Sequence, residues 1–377
     1  SMRAMLATMM MLLMTTAALA GCAGSDDVSE ITQDDVDAAY DNGYAAGTAD
    51  AASVSTLDTI IARGSLKCGV KDSQFGMGYL NPDGTYSGLD IEYCKAVAAA
   101  IGIDNIEYIL ATGSNRFELL ASAEIDVLIR TTTWTTSRDA GLNADFAGMN
   151  FYDGQGMLVN LEQFPGATSA LDLDGANICV GIGTTTEGNL LDYYELHGMT
   201  MTTINTENAA AAQENFLDGS CGVWTGDMSA MVARLWGLRD EGMDLAIMPE
   251  LLSKEPLGAA TRDNDDDWND VVAWVWYGMI TAEEFGIDGS NYGDFVNSEN
   301  PGINRLLNSN LGLGTDANPL SDTWMQAVLG AVGNYYDAYD RSFCDGDGEM
   351  ANCLIDRAGT LNALVSEGGI QYAPPMR

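Results

Sequence analysis

From Thr56 onward, short apolar runs alternate with segments whose apolar residues recur at helical spacing. The runs Leu66–Val70, Ile106–Leu110, Ile125–Ile129 and Met157–Val159 predict buried strands. Between them, Leu57–Ala62, Ile91–Ile101 and Phe117–Ala123 predict helices, and Asn81-Pro-Asp-Gly84 predicts a tight turn. Phe146–Tyr152 leads through Gly154-Gln-Gly156 into the last of these strands. The texture then repeats. Strands are predicted at Ile178–Ile182, Thr200–Ile204, Gly222–Thr225 and Leu245–Met248, and helices at Asn189–Leu196, Ala209–Leu217 and Asp227–Trp236. Asp266–Phe285 carries a long apolar helical face, and Trp324–Tyr339 reads as one more helix. Such alternation predicts an α/β architecture with largely parallel sheets. Two units of comparable size predict two lobes around a cleft, where ligands sit outside the carboxyl ends of strands.

The segment before Thr56 has a different character. Arg3 precedes an uncharged run, Ala4–Ala20, that is short and Ala/Met/Thr-rich for a permanent membrane span. It ends in Leu19-Ala20-Gly21-Cys22, which resembles the lipobox of bacterial lipoproteins. The expectation is a signal peptide over residues 1–21 and a diacylglycerol on the Cys22 thiol, anchoring the chain to the outer face of the cell membrane. Residues 22–55 contain no Lys or Arg and many Asp, Ala, Ser and Gly, the composition of a stalk. Tyr40 and Tyr44 leave room in it for one short helix.

Charge narrows the function. The 377 residues include 16 Lys+Arg against 55 Asp+Glu, a net charge of −39. A chain this poor in bases has no cationic stripe for nucleic acid and no polybasic patch for anionic lipid. It is not thereby disordered, because 46% of it is hydrophobic. The single histidine, His197, argues against Ser-His-Asp and Cys-His chemistry and against His-rich metal sites, so neither metal nor cofactor is expected. Beyond Cys22 there are six cysteines, an even number after an export signal, which suggests three disulfides. Of fifteen connectivities the local one is preferred, Cys68–Cys94, Cys179–Cys221 and Cys344–Cys353, because it staples nothing across a hinge between lobes. Asp345-Gly-Asp347-Gly-Glu349 lacks the full ligand pattern of a calcium loop and reads as a solvated acidic turn.

Several segments then resemble the family 3 solute-binding proteins of polar amino-acid ABC transporters, and most nearly the general L-amino-acid-binding branch. They are Gly88-Leu-Asp-Ile-Glu-Tyr-Cys94, Thr132-Thr-Trp-Thr135 with Ser137-Arg-Asp139, Tyr152-Asp-Gly-Gln-Gly156, Ser253-Lys-Glu-Pro-Leu-Gly258 and Gly368-Gly-Ile-Gln-Tyr-Ala-Pro-Pro375. The Thr-Trp-Thr and C-terminal segments are the most specific, and the resemblance covers residues 56–377. It implies a two-lobed, type II periplasmic-binding-protein-like fold. Lobe 1 is expected over 56–158 and again, with the C-terminal helices, over 259–377; lobe 2 is expected over 159–258.

The resemblance also implies a site. Arg138 matches the family's arginine for the ligand α-carboxylate, a task suited to a planar guanidinium. Thr131 and Thr133 match positions that offer backbone or hydroxyl groups. Thr185, in the loop Gly183-Thr-Thr185, matches a second carboxylate contact, although the branch usually has Asp there. Gly181-Ile-Gly183 lacks the third glycine of a phosphate loop. Asp227 matches the ammonium-binding carboxylate and also suits a helix N-cap. Arg130, Lys71, Gln74 and Phe75 fall around the ligand side chain, and the two extra cations suit Asp or Glu. Arg130 could equally brace the interior against a carboxylate.

The expected function is therefore not enzymatic: a monomeric extracytoplasmic binding component captures a free L-amino acid, closes on it by a hinge and passes it to an ABC permease. Crossings between lobes are expected near Gly156–Asn160 and Pro256–Arg262. A dehydratase on the same fold and a ligand-sensing lipoprotein are the alternatives.

Overall fold

Residues 54–377 are described by the computed structural model; Cys22, the signal segment and nearly all of the stalk lie outside the described residues. The chain enters through α1 (Thr56–Arg63), capped by the Ser55 hydroxyl, which accepts from the Leu57 N–H. β1 (Leu66–Val70), a small meander of β2 (Ser73–Gln74), β3 (Gly78–Leu80) and β4 (Tyr86–Ser87), α2 (Leu89–Ala100), β5 (Ile106–Leu110), α3 (Arg116–Ala121), β6 (Val127–Leu128) and α4 (Thr136–Gly141) follow. Next come β7 (Ala144–Asn160), β8 (Ala176–Gly181), α5 (Thr185–Leu196), β9 (Met201–Thr206), α6 (Ala209–Leu217), β10 (Val223–Asp227), α7 (Met228–Gly237), β11 (Leu245–Ile247) and β12 (Lys254–Arg262). Five helices close the chain: α8 (Asp266–Glu284), α9 (Tyr292–Phe295), α10 (Pro301–Asn308), α11 (Trp324–Val332) and α12 (Tyr335–Phe343).

Nine strands form one sheet: eight in the order β5-β1-β6-β12-β7-β10-β8-β9, and β11 off this path, paired with β7. The outer strands are parallel, as the alternation predicts: β1 with β5 and β6, and β8 with β9 and β10. The centre is antiparallel, which the alternation does not predict. β7 pairs with β12 along Ala144–Gly154, then with β10 along Gln155–Val159. One strand thus belongs to both ends of the sheet. Gly154-Gln-Gly156 reads in sequence as an interruption, but both glycines stay in register, Gly154 opposite Lys254 and Gly156 opposite Gly226.

β12 is a strand that the sequence pattern hides behind Pro256. Proline cannot donate to a ladder. Its partner Tyr152 instead bonds the Asn362 side chain, donating its N–H to Oδ1 (2.7 Å) and accepting from Nδ2 (2.9 Å). Trp324–Tyr339 is a second departure, because it is two helices. The break falls at Gly333, with φ +74°, where a Cβ would lie 2.0 Å from Asp337 Oδ2. Asn334 and Asp337 then cap α12 reciprocally, each side chain bonded to the other's backbone N–H. Only Val127–Leu128 of the run Ile125–Ile129 is strand, and α9, α10 and the strands of the meander are elements that the sequence analysis does not assign.

Each end of the sheet has its own core. One gathers Leu57, Tyr93, Trp268, Trp276 and Trp324 around β1 and α2. At the other end, alternation along β7 sends Met157 and Val159 to one face, with Ile178 and Leu190, and Leu158 to the opposite face, with Phe216 and Trp224. The cysteines pair as Cys68–Cys94, Cys179–Cys221 and Cys344–Cys353, and none of these bridges joins one end of the sheet to the other.

Gly333→Ala tests the α11–α12 break. The left-handed backbone and the Asp337 collision should together cost about 1–3 kcal/mol in denaturant unfolding.

Candidate functional site

The carboxyl ends of four parallel strands meet where the two ends of the sheet face each other. β1 delivers Lys71, β6 delivers Arg130-Thr-Thr-Thr133, β8 delivers the loop into α5, and β10 delivers Asp227. Together with Arg116, Thr185 and Arg234 they enclose a cavity of about 120 Å³. The loops bounding it touch. Gln74 Nε2 donates to Ser229 Oγ at 2.8 Å, and Arg116 donates to Gly183 O at 3.3 Å. At Gly183 (φ +67°) a Cβ would lie 2.9 Å from Gly113 O, so only glycine allows this approach.

The cations are held without carboxylate partners. Lys71 Nζ donates to Gln74 Oε1 (2.7 Å), Arg130 Nε to Ala111 O (2.7 Å) and Arg138 Nη1 to Thr133 O (2.9 Å). Arg116 and Arg138 both lie over the Phe117 ring, at 5.3 and 5.6 Å from its centroid. Among the described residues, every ion pair within 4 Å excludes Lys71, Arg116, Arg130, Arg138 and Arg234. Arg116 is 2% exposed and its Nε has no acceptor; the Thr131 hydroxyl and Arg234 Nε are buried and unpartnered as well.

Proton affinities record the same crowding. Burial, followed by the neighbouring Arg130 charge, brings the Lys71 ammonium down to about 7. Burial also pushes the Arg116 guanidinium well below its ordinary range, with Arg130 and Arg138 adding to the effect. Asp227 is raised by burial against the pull of Lys71. Behind it, burial and the Asp227 charge push Asp153 up to about 7.

Most of the residues expected at the site come together. Lys71, Arg130, Thr131, Thr133, Thr185 and Asp227 all line the cavity. Thr131 has φ +41°, and its N–H donates to the buried Asp90 carboxylate at 2.9 Å. Asp227 occupies the N-cap position of α7, yet its side chain makes no capping bond. Arg138 is buried behind Thr133 rather than on the cavity wall. Phe75 is also off the wall, and its ring stacks on Trp236 at 5.1 Å.

Three residues escaped the sequence reading. Arg116 follows the Gly113-Ser-Asn loop after β5, the same strand-end position that drew attention to Lys71. Arg234 lies seven residues after Asp227, on the same face of α7 as Ala230 and Met231, which also line the cavity. Glu255 on β12 carries no local signal. Its carboxylate accepts from Thr133 (2.5 Å), Thr185 (2.7 Å), Asn189 (2.7 Å) and Ser253 (2.6 Å), tying the β6 loop to the start of α5.

A two-lobed α/β body with a cation-rich cleft has the architecture of a solute receptor. The chain belongs to the bacterial extracellular solute-binding proteins, family 3, whose model matches residues 66–311. It is 42% identical over 336 residues to the glutamate/glutamine/aspartate/asparagine-binding protein BztA of Rhodobacter capsulatus, covering 88% of this chain and 96% of that one. It is 40% identical over 333 residues to the general L-amino acid-binding periplasmic protein AapJ of Rhizobium johnstonii, covering 87% and 95%. A solved ABC transporter/periplasmic binding protein from Brucella ovis, with glutathione bound, superposes with a TM-score of 0.78 at 38% identity, covering 86% of this chain and all of that one.

An unpaired buried guanidinium costs stability and is retained for what it binds. Arg116→Met should therefore raise the unfolding free energy of the ligand-free protein by about 1–3 kcal/mol while weakening anion binding. Denaturant midpoints and calorimetry read the two effects separately.

Proposed function

We propose that this protein is the extracytoplasmic substrate-binding component of an ABC transporter, capturing L-amino acids, acidic or polar ones foremost, and delivering them to a membrane permease. The observation that carries this reading is the combination of cations without ion-pair partners and the uncapped Asp227 carboxylate lining one cavity. A free amino acid presents the complementary set. Its α-carboxylate goes to the Thr133–Thr185 region, with the Arg138 charge directly behind Thr133 and the first amides of α5 adding their partial positive charge. Its ammonium goes to Asp227. Lys71 and Arg130 face the side chain and favour a carboxylate or amide there.

The names of BztA and AapJ support this substrate class, and both relatives are binding proteins rather than enzymes. The chain acts in the same way, without chemistry. The lobes are 56–158 with 259–377, and 159–258; β7 and β12 pass between them and act as the hinge strands. The protein works as a monomer, held at the outer membrane face by lipid on Cys22.

Calorimetry of the body, residues 56–377, against the twenty amino acids tests the reading. Micromolar or tighter binding of at least one is expected, and no heat with any of them would overturn it. Arg138→Ala should cost several kcal/mol of binding, about 2–5 by analogy with other buried charge pairs; unchanged affinity removes Arg138 from the site.

The pH dependence follows from Lys71. In the free protein its ammonium is half lost near pH 7. A bound carboxylate favours the charged form and raises its pKa, so binding takes up a proton above that pH. Affinity for glutamate should therefore fall as pH rises above about 7, by up to about tenfold per unit. Lys71→Met should flatten most of the slope.

A further inference from the structure

Arg116 and Arg234 are the cations on the cavity wall that an acidic amino acid leaves without a partner, and of the two only Arg234 also borders a neighbouring cavity. Such a ligand carries two carboxylates and one ammonium, and the reading above assigns these to Arg138, Lys71 with Arg130, and Asp227. Arg234 projects from α7, its guanidinium 5.2 Å from the centre of the Trp224 ring. Its Nε is buried and has no acceptor. The Asp72 charge acts on it from nearby, yet no carboxylate lies within 4 Å. Arg234 and Ala209 line the main cavity and also a second, more open one, which Ser73, Ala210 and Gln213 share. Elsewhere on the rim the Phe75–Trp236 stack and the Gln74–Ser229 hydrogen bond join the two sides of the cleft. Arg234 therefore stands at the passage by which a ligand longer than glutamate could extend while the lobes stay closed.

We propose that Arg234 forms a second anion subsite, taking the terminal carboxylate of an amino acid extended through its side chain, as in a γ-glutamyl dipeptide. This rests on the amino-acid site described above. The ligand's α-amino and α-carboxylate groups stay at Asp227 and Arg138, and its far carboxylate meets the orphaned Nε. Beyond Arg234 the outer cavity carries Glu214 and Asp218, which repel an anion. The favoured ligand thus ends at Arg234 and does not run on into the groove.

Calorimetry with L-glutamate and γ-L-glutamylglycine separates this subsite from the amino-acid site. Arg234→Met keeps an apolar stem on Trp224 and removes the charge. It should weaken the dipeptide at least about tenfold and glutamate less than about threefold, since one charged contact is lost from the first ligand only. Gln213→Glu, on the outer groove, should weaken the dipeptide in the same sense and spare glutamate. Dipeptide affinity untouched by both variants, or falling in step with glutamate, overturns the subsite. Wild-type protein that binds glutamate but not the dipeptide overturns the subsite alone; absence of heat with both ligands and with every other amino acid overturns the amino-acid reading too.

Discussion

Arg116, Arg130 and Arg138 are buried and Lys71 half-buried with only neutral partners: an amide oxygen, main-chain carbonyls and the face of Phe117. Removing a charge from water without a counter-charge is unfavourable, and the fold tolerates it only because its two cores hold the loops in place around the cavity. The consequences run through the molecule. The Lys71 ammonium loses its proton readily, and Asp227 remains uncapped at the start of α7. The Glu255 carboxylate is spent on hydroxyl and amide donors that join the β6 loop to α5. An anion arriving in this setting meets donors already aimed at it, with little reorganisation left to do.

The cationic cleft sits in a body of opposite sign. With 16 bases against 55 acids, the surface field repels anions at long range. Binding therefore depends on short-range contacts in a poorly hydrated cavity, where charges interact more strongly than at the surface. Five of the 16 bases stand at or directly behind the cavity wall, so the scarcity of Lys and Arg elsewhere makes the site conspicuous. β7 and β12 provide the mechanical counterpart. Both run from one end of the sheet toward the other, and no disulfide parallels them. Domain movement about these strands is left free by the covalent structure.

Much of the site was legible because chemistry-bearing residues follow strands. Lys71 comes directly after β1, the Arg130–Thr133 run after β6 and Asp227 at the end of β10; a parallel strand ends where the cleft opens, so position along the chain implies position in space. Arg234 and Glu255 were not legible in this way. Arg234 is placed by the helical repeat from Asp227, and its exposure to the cavity depends on how α7 packs against β10. Glu255 precedes a proline in a segment that reads as a connection. It is a strand residue paired with Asp153, and Asn362, more than a hundred residues later, satisfies the backbone of Tyr152 opposite Pro256. Phe75, which the resemblance places around the ligand side chain or on the cleft wall, stacks its ring on Trp236.

By itself the sequence determined the alternation of strands and helices, the paired cysteines and the short set of cations from which a site could be built. These depend on local periodicity and on composition, which are properties of neighbouring residues. Tertiary structure decided the rest. It made β7 one strand shared by both ends of the sheet, divided the last long apolar segment at Gly333, and brought Arg116 and Arg234 to the same cavity as Asp227. Two of these outcomes depend on partners distant in the chain, a hydrogen bond from Asn362 and an approach of Gly183 to Gly113, whereas the break at Gly333 turns on its near neighbour Asp337. No window along the sequence contains them all, because the two sides of the cleft meet only when the chain has folded back through the centre of its sheet.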